Sequence, residues 1–216
     1  MSILYKKLVR GELVTNCYLC WNERTKECVV IDPADDGTGI SEEIETLGLK
    51  PIMVIATHGH FDHVLAALDI KLIYGITFGC SSKDSFLLKR QDKTAEHFLK
   101  RKVGVPEIKI DVDFDKEKEI KLGEDKLAVI KTPGHTPGGV CFYAKKENFL
   151  FSGDTLFKGL RGRTDFSYGS TEDLFSSIDK ILKLPTETVI LPGHGEETTV
   201  ADEAKSRLEK GQKLRG

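Results

Sequence analysis

An α/β sandwich is the fold class this sequence predicts, and three observations carry the expectation. Short apolar runs of β character recur in both halves of the 216-residue chain. Helix-like stretches are interspersed among them instead of following every strand. Several runs end in loops rich in Gly, Pro, His and Asp, as strand ends at one edge of a sheet would. Two β-rich halves with helices between them fit two packed sheets better than one doubly wound parallel sheet.

Residues 4–9, 12–21 and 27–32 read as strands, and 41–47 as a helix. The run 51–56 is the strand before the first histidine cluster. It is followed by an apolar-periodic stretch at 64–70 and a short strand at 71–74. A long helix is expected over 82–102, with Phe86, Phe98 and Leu99 on its apolar, core-facing side. The charged run 111–121 reads as a solvated strand edge or loop. Residues 119–122 and 126–130 pair around Gly123-Glu124-Asp125, and 140–144 with 148–151 form a second hairpin. Thr171 is the expected cap of a helix over 172–182. A strand at 188–191 and one charged helix over 200–214 complete the chain.

Composition fits one soluble enzyme domain spanning 1–216. The formal net charge of −2 gives no footprint for nucleic acid. No apolar run approaches the roughly 18 residues of a membrane span. Five cysteines and no apolar segment at the N-terminus to direct export point to a reducing, cytoplasmic setting. Cys17 and Cys20 spell C-x-x-C, but residues three apart on a strand face opposite ways, so both read as strand residues, and Cys141 as core.

The densest chemistry lies in Thr57-His58-Gly59-His60-Phe61-Asp62-His63, directly after an apolar run. Packing alone gives no reason to group three imidazoles and a carboxylate. His58 and His60, two apart on an extended chain, share one side. Asp62 and His63 follow where the chain turns, and can face a second point close by. His135 (Pro133-Gly134-His135-Thr136-Pro137) and His194 (Pro192-Gly193-His194-Gly195) sit on stiff loops after β-like runs, and Asp154 closes a third. His97 lies mid-helix among charges and reads as an ordinary surface histidine. Singly, His135 and His194 would be hydrogen-bonded loop residues and Asp154 a turn carboxylate; together with the cluster they read as ligands.

Neutral imidazole and carboxylate suit zinc first, with iron or manganese as alternatives, and the lack of cysteine argues against a closed structural zinc site. So large a set exceeds one tetrahedral ion. Two divalent ions divide it into roughly three histidines for one, two histidines and Asp62 for the other, and leave Asp154 to bridge. Two ions about 3.5–4 Å apart can share a water, acidify it and hold it as hydroxide. With two carboxylates such a centre carries a formal charge of about +1 and favours an oxyanion developing on a carbonyl.

The order His58-x-His60-x-Asp62-His63, then His135, Asp154 and His194, together with Ile31-Asp32-Pro33, resembles the metallo-β-lactamase-fold hydrolases over residues 16–199. The resemblance implies a four-layer αβ/βα sandwich with the metals at one edge between two sheets. It implies His58, His60 and His135 on the first metal, Asp62, His63 and His194 on the second, and Asp154 between them. Gly153-Asp154-Thr155-Leu156-Phe157, Gly162-Arg163-Thr164-Asp165-Phe166 and Pro192-Gly193-His194-Gly195 look like the short glyoxalase II-like branch. That implies a small-molecule acyl thioester as substrate, S-D-lactoylglutathione or another glutathione conjugate among the candidates. With only about twenty residues after His194, a counterpart of the C-terminal helical domain of full-length glyoxalase II is not expected. By resemblance Arg163 would anchor an anionic thioester, with Lys158 and Arg161 as further basic candidates, and Asp62 would orient the attacking hydroxide.

The persulfide dioxygenase branch shares Gly-Arg-Thr-Asp-Phe but uses one iron, at positions matching His58, His135 and Asp154, and ends its last motif in Pro-Ala-His-Asp. The Pro-Gly-His-Gly ending favours the hydrolase. True β-lactamases lack such a bridging aspartate, and the fold's ribonucleases carry an insert with no room here. Lactonases make the same demand on the site and stay open. A non-catalytic metal-binding or regulatory domain is the alternative of another class, and the complete ligand set argues against it.

Overall fold

Alternation of apolar side chains along the strands sorts them into two six-stranded sheets in a computed structural model that describes residues 2–209. In the first sheet β1 (Ile3–Arg10), β2 (Thr15–Asn22) and β3 (Glu27–Ile31) form an antiparallel meander. Strands β4 (Lys50–Ile55), β5 (Thr77–Cys80) and β6 (Val112–Asp113) extend it in parallel. Helix α1 (Gly37–Thr46) connects β3 to β4, and α2 (Phe61–Val64) and α3 (Ala67–Tyr74) connect β4 to β5. Two more, α4 (Ser85–Leu88) and α5 (Gln91–Leu99), precede β6.

The second sheet is an antiparallel run of β7 (Glu119–Leu122), β8 (Asp125–Lys131), β9 (Val140–Ala144) and β10 (Phe149–Gly153). A two-stranded excursion, β11 (Leu156–Phe157) and β12 (Leu160–Arg161), and helix α6 (Thr171–Ile181) follow. Strand β13 (Val189–Pro192) then joins β10 in parallel, β14 (Thr198–Thr199) closes the edge, and α7 (Val200–Glu209) leads away.

Period two decides which face packs on what. Cys17, Leu19, Val30 and Val54 share a cluster with Ile40 and Ile44 of α1 and Ile70 of α3. Their neighbours Tyr18, Cys20, Val29 and Ile55 pack against Phe142, Phe151 and Leu191 of the other sheet. On its far side the second sheet packs Cys141, Leu150 and Ile190 against Leu174, Ile178 and Ile181 of α6. The layers therefore run helix, sheet, sheet, helix, the four-layer αβ/βα sandwich. Full burial of each such aliphatic or aromatic side chain contributes about 1.5–3 kcal/mol. Cys17 and Cys20 fall in different clusters as strand residues, and all five cysteines are buried and unpaired.

Several local expectations change. Residues 71–74 are not a strand but the last turn of α3, closed by Gly75 in the left-handed region at φ 63°, and the strand comes after it as β5. The helix expected over 82–102 is broken into a 3₁₀ turn at Ser82–Asp84, α4 and α5, with Asp84 buried. Phe98 is 50% exposed and Phe86 half-buried, so neither is core, whereas Leu99 packs partly buried on Phe61, Leu65 and Ala95. Strand β2 starts at Thr15, because residues 11–14 turn and Val14 adopts φ 56°. The 111–121 run is largely solvated, but its Phe114 is fully buried. Ser170, not Thr171, caps α6, its hydroxyl accepting from the Asp173 amide. Of the helix expected over 200–214, the part beyond 209 lies outside the described residues.

Strands β8, β10 and β13 run in one direction, so the loops after them open at one edge of the sandwich. Among the described residues no helix is long and apolar enough to cross a membrane.

Candidate active site

Four strand ends deliver the site. Strand β4 ends at Ile55, the chain bends at Thr57 and His58, and α2 begins at Phe61. This bend, rather than an extended segment, turns His58 and His60 together and leaves Asp62 and His63 on the first turn of α2. His135 stands in the β8–β9 loop, Asp154 directly after β10, and His194 directly after β13. All seven expected ligands meet here. Their donor atoms form three overlapping groups, each within 4.8 Å: His58, His60 and His135; Asp62, His63 and His194; and His58, His63 and Asp154.

The outer partner of each imidazole decides which nitrogen faces inward. His135 Nδ1 donates to the Arg163 carbonyl at 2.8 Å, and His63 Nδ1 donates to Asp32 Oδ2 at 3.0 Å. Thr57 Oγ1 donates to Asp32 Oδ2 at 2.8 Å and so accepts from His58 Nδ1 at 3.1 Å. His60 is the reverse: its Nε2 pairs with Tyr168 Oη at 2.8 Å and its Nδ1 faces inward, so an unprotonated Nδ1 makes Nε2 the donor. In the first group the inward nitrogens are thereby bare, and in both groups they are crowded. His60 Nδ1 lies 3.0 Å from His58 Nε2 and 2.9 Å from His135 Nε2, and His63 Nε2 lies 3.3 Å from His194 Nε2.

In the first group, lone pairs so close repel unless a cation stands between them. The electrostatics agree. Burial first, then neighbouring imidazoles, hold His58 well below the usual histidine range and His60 down at about 3. Burial opposes charge on His63 too, yet Asp154, Asp32 and Asp62 outweigh it and raise its pKa. Burial would lift Asp154, but His63, His135 and His194 hold it well below the carboxylate range. Asp154 Oδ1 is buried without a hydrogen-bond partner. Uncharged nitrogens on His58 and His60, carboxylates that draw positive charge onto His63 and His194, an ionised Asp154 shared between groups and its orphaned oxygen fit divalent cations.

A cavity of about 160 Å³ opens over the donors. One wall is Leu13, Phe61 and Phe98, the two rings stacked at 5.7 Å. Facing it, Phe166 and Tyr168 stack at 5.3 Å, with Arg163 beside them. The Arg163 guanidinium lies 4.8 Å over Phe166 and pairs with Asp165 at 2.8 Å. The other two basic candidates are not brought to this cavity. Lys158 pairs with Glu196 at 2.6 Å and lines a separate cleft of about 450 Å³ with Glu197 and Asp202. Arg161 covers the Phe175 ring at 4.4 Å. His97 is exposed and belongs to none of the three donor groups.

Sequence reasoning missed Asp32, Tyr168 and Phe98 as parts of the site. For Asp32 a signal existed: a carboxylate closing a buried strand, which burial to 1% exposure makes costly unless it is bonded. Tyr168 and Phe98 carry no sequence mark of their positions.

Comparison with known proteins agrees with this geometry. Hydroxyacylglutathione hydrolase GloC of Haemophilus influenzae is 38% identical over 197 residues, covering 88% of this chain and 90% of that protein. The crystal structure of BLEG-1 B3 metallo-beta-lactamase superposes with a TM-score of 0.86 at 33% identity, covering 94% of this chain and 97% of that one. TTHA1623 in a di-iron-bound form gives 0.83 at 32% identity, covering 93% and 98%. The family model of the metallo-beta-lactamase superfamily matches residues 10–194, and the chain belongs to that superfamily of metal-binding, predominantly hydrolytic proteins.

Proposed function

We propose that the chain is a binuclear metal-dependent hydrolase of an acyl thioester, with S-D-lactoylglutathione as the first candidate substrate. One observation carries the reading: the inward nitrogens and two carboxylates form two donor groups that share Asp154 as their link. A single iron held by His58, His135 and Asp154 would leave Asp62, His63 and His194 gathered to no purpose. The similarity to GloC supports a thioester over other activated acyl groups.

His58, His60 and His135 would hold one divalent ion and Asp62, His63 and His194 the other, with Asp154 serving both; zinc suits the set, as do iron and manganese. When bound, the pair supplies an acidified water and Lewis acidity toward a carbonyl oxygen. The chain's residues then have separable tasks. Asp62 Oδ2, 3.4 Å from the Thr15 hydroxyl, is placed to accept a hydrogen bond from the attacking water and aim it. Leu13, Phe61, Phe98 and Phe166 displace bulk water around the reacting carbonyl, where charges interact more strongly. Tyr168 accepts from His60, so its own O–H is left to donate to the acyl group. Arg163 stands at the cavity for an anionic substituent. No side chain is needed to protonate the leaving group, because a thiolate departs readily.

The test is hydrolysis of S-D-lactoylglutathione by purified protein of known metal content, with and without chelator. Chelator-sensitive turnover near two metals per chain is expected. No turnover, with one iron bound and oxygen consumed on glutathione persulfide, would replace the reading with the dioxygenase. Hydrolysis of a lactone or a β-lactam in place of the thioester would keep the site and change the substrate.

A further inference from the structure

Asp84 is fully buried in the 3₁₀ turn that follows β5. Its carboxylate is nevertheless satisfied, by donors from two loops that belong to different sheets. Oδ2 accepts from the Gly59 amide at 2.9 Å and from Thr136 Oγ1 at 2.7 Å, and Oδ1 accepts from the Gly138 amide at 2.7 Å. Gly59 lies between His58 and His60, and Thr136 and Gly138 directly follow His135. One carboxylate thus ties together the loops that carry all three histidines of the first donor group.

The packing permits nothing else there. A Cβ on Gly59 would stand 2.9 Å from Asp84 Cβ and 3.0 Å from its carbonyl oxygen, and a Cβ on Gly138 would meet Asp84 Cγ at 2.7 Å. Only glycine lets each backbone amide approach the carboxylate this closely. The turn itself is held from outside: the Ser81 hydroxyl donates to Asp115 Oδ2 at 2.6 Å and accepts from the Lys83 amide at 3.3 Å. Asp84 is therefore a fixed point to which both loops are bonded.

The hydrogen bonds of this carboxylate go to Gly59, Thr136 and Gly138 and not to the second group. Asp62 and His63 ride on α2, His63 is oriented by Asp32, and His194 follows β13. We propose that Asp84 is a positioning residue for the first donor group alone, setting the distance between His58, His60 and His135 and hence the affinity of that group for its metal. The inference rests on the metal-binding reading above and names a determinant that touches neither metal nor substrate.

The experiment titrates apoprotein with zinc against a chromophoric chelator. In Asp84→Asn one amide donor faces an NH₂ group instead of an oxygen. One of the two ions should bind about tenfold more weakly, the scale of losing an outer partner of a ligand, while the other stays within about twofold. Adding His135→Ala to Asp84→Asn should remove only the already weakened ion, and adding His194→Ala should remove the other. Unchanged binding of both ions, or equal weakening of both in step with the melting temperature, would overturn the proposal. Should Asp84→Asn fail to fold, Thr136→Val deletes one of the three donors and is expected to weaken the same ion about threefold; no weakening overturns the idea. A wild-type stoichiometry of one would overturn the two-ion reading but not this inference. That ion, held from the same two loops, should then be the one that Asp84→Asn weakens.

Discussion

His58, His60 and His135 are backed by a threonine hydroxyl, a tyrosine hydroxyl and a backbone carbonyl, all neutral. His63, in the second group, is backed by the buried carboxylate of Asp32, and Asp62 beside it is a carboxylate donor. The two halves of one centre thus differ in charge by design of their surroundings. A cation in the neutral group keeps more of its charge for a substrate oxygen, whereas one in the second group is compensated by the protein. Two ions held by these groups would therefore not be equivalent. Substitutions behind the ligands should separate them more cleanly than substitutions of the ligands themselves.

The largest effect is expected where the two groups meet. Asp154 lies 3.4 Å from His63 and 3.6 Å from His135. Asp154→Ala should lose metal from both groups and lower turnover by more than about a hundredfold, since even outer partners cost roughly 10–100-fold. Full activity with two metals retained would sink the bridging role. Asp32→Asn comes next, and should weaken metal binding by roughly 10–100-fold. Its main loss falls on the second group through His63, and a smaller one on the first through Thr57 and His58. Equal weakening of both ions would erase the asymmetry.

Legibility in the sequence follows the same division. The proposed ligands could be picked out because three imidazoles and a carboxylate fall within 58–63 and the others occupy strand-end loops. The two carboxylates behind them differ. Asp32 closes an apolar strand and could have been suspected, whereas Asp84 is one of 34 acids, in a polar Ser82-Lys83-Asp84 string, and only tertiary packing buries it. The fold's outline was readable because period-two runs name strands. Residues 71–74 misled because Leu72, Ile73 and Tyr74 have β character, while the decisive feature was the Gly75 cap. Phe98 was expected in the core because amphipathic spacing shows that a face is apolar and not what covers it; here it borders the cavity.

Tyr168 tests a milder form of the comparison, since it is the neutral partner of His60. Tyr168→Phe keeps the ring against Phe166 and Phe86 and removes the hydroxyl that accepts from His60 and is offered to the acyl group. Each net hydrogen bond of about 0.5–1.5 kcal/mol corresponds to roughly a 2–12-fold loss in kcat/KM. Two metals should be retained, because His60 keeps its inward nitrogen. Loss of an ion would show that the neutral group depends on its hydroxyl partners as strongly as the second group depends on Asp32.

The smallest effects should fall on the basic residues, and they divide by place instead of charge. Arg163 lines the cavity but already pairs with Asp165, so its field at an anionic substrate is partly cancelled and further screened by salt. Arg163→Ala should raise KM by roughly three- to tenfold for an anionic thioester at low salt, with kcat little changed, and the effect should shrink as salt is added. Asp165→Ala should act in the opposite sense, freeing the guanidinium and lowering KM. Lys158 bears the same charge, yet its ammonium is held by Glu196 beside the other cleft. Lys158→Ala should therefore leave kcat/KM within about twofold. If Lys158→Ala matched Arg163→Ala, the substrate's anionic end would have to reach past the β11–β12 excursion. The cavity over the donors would then be only part of the binding site.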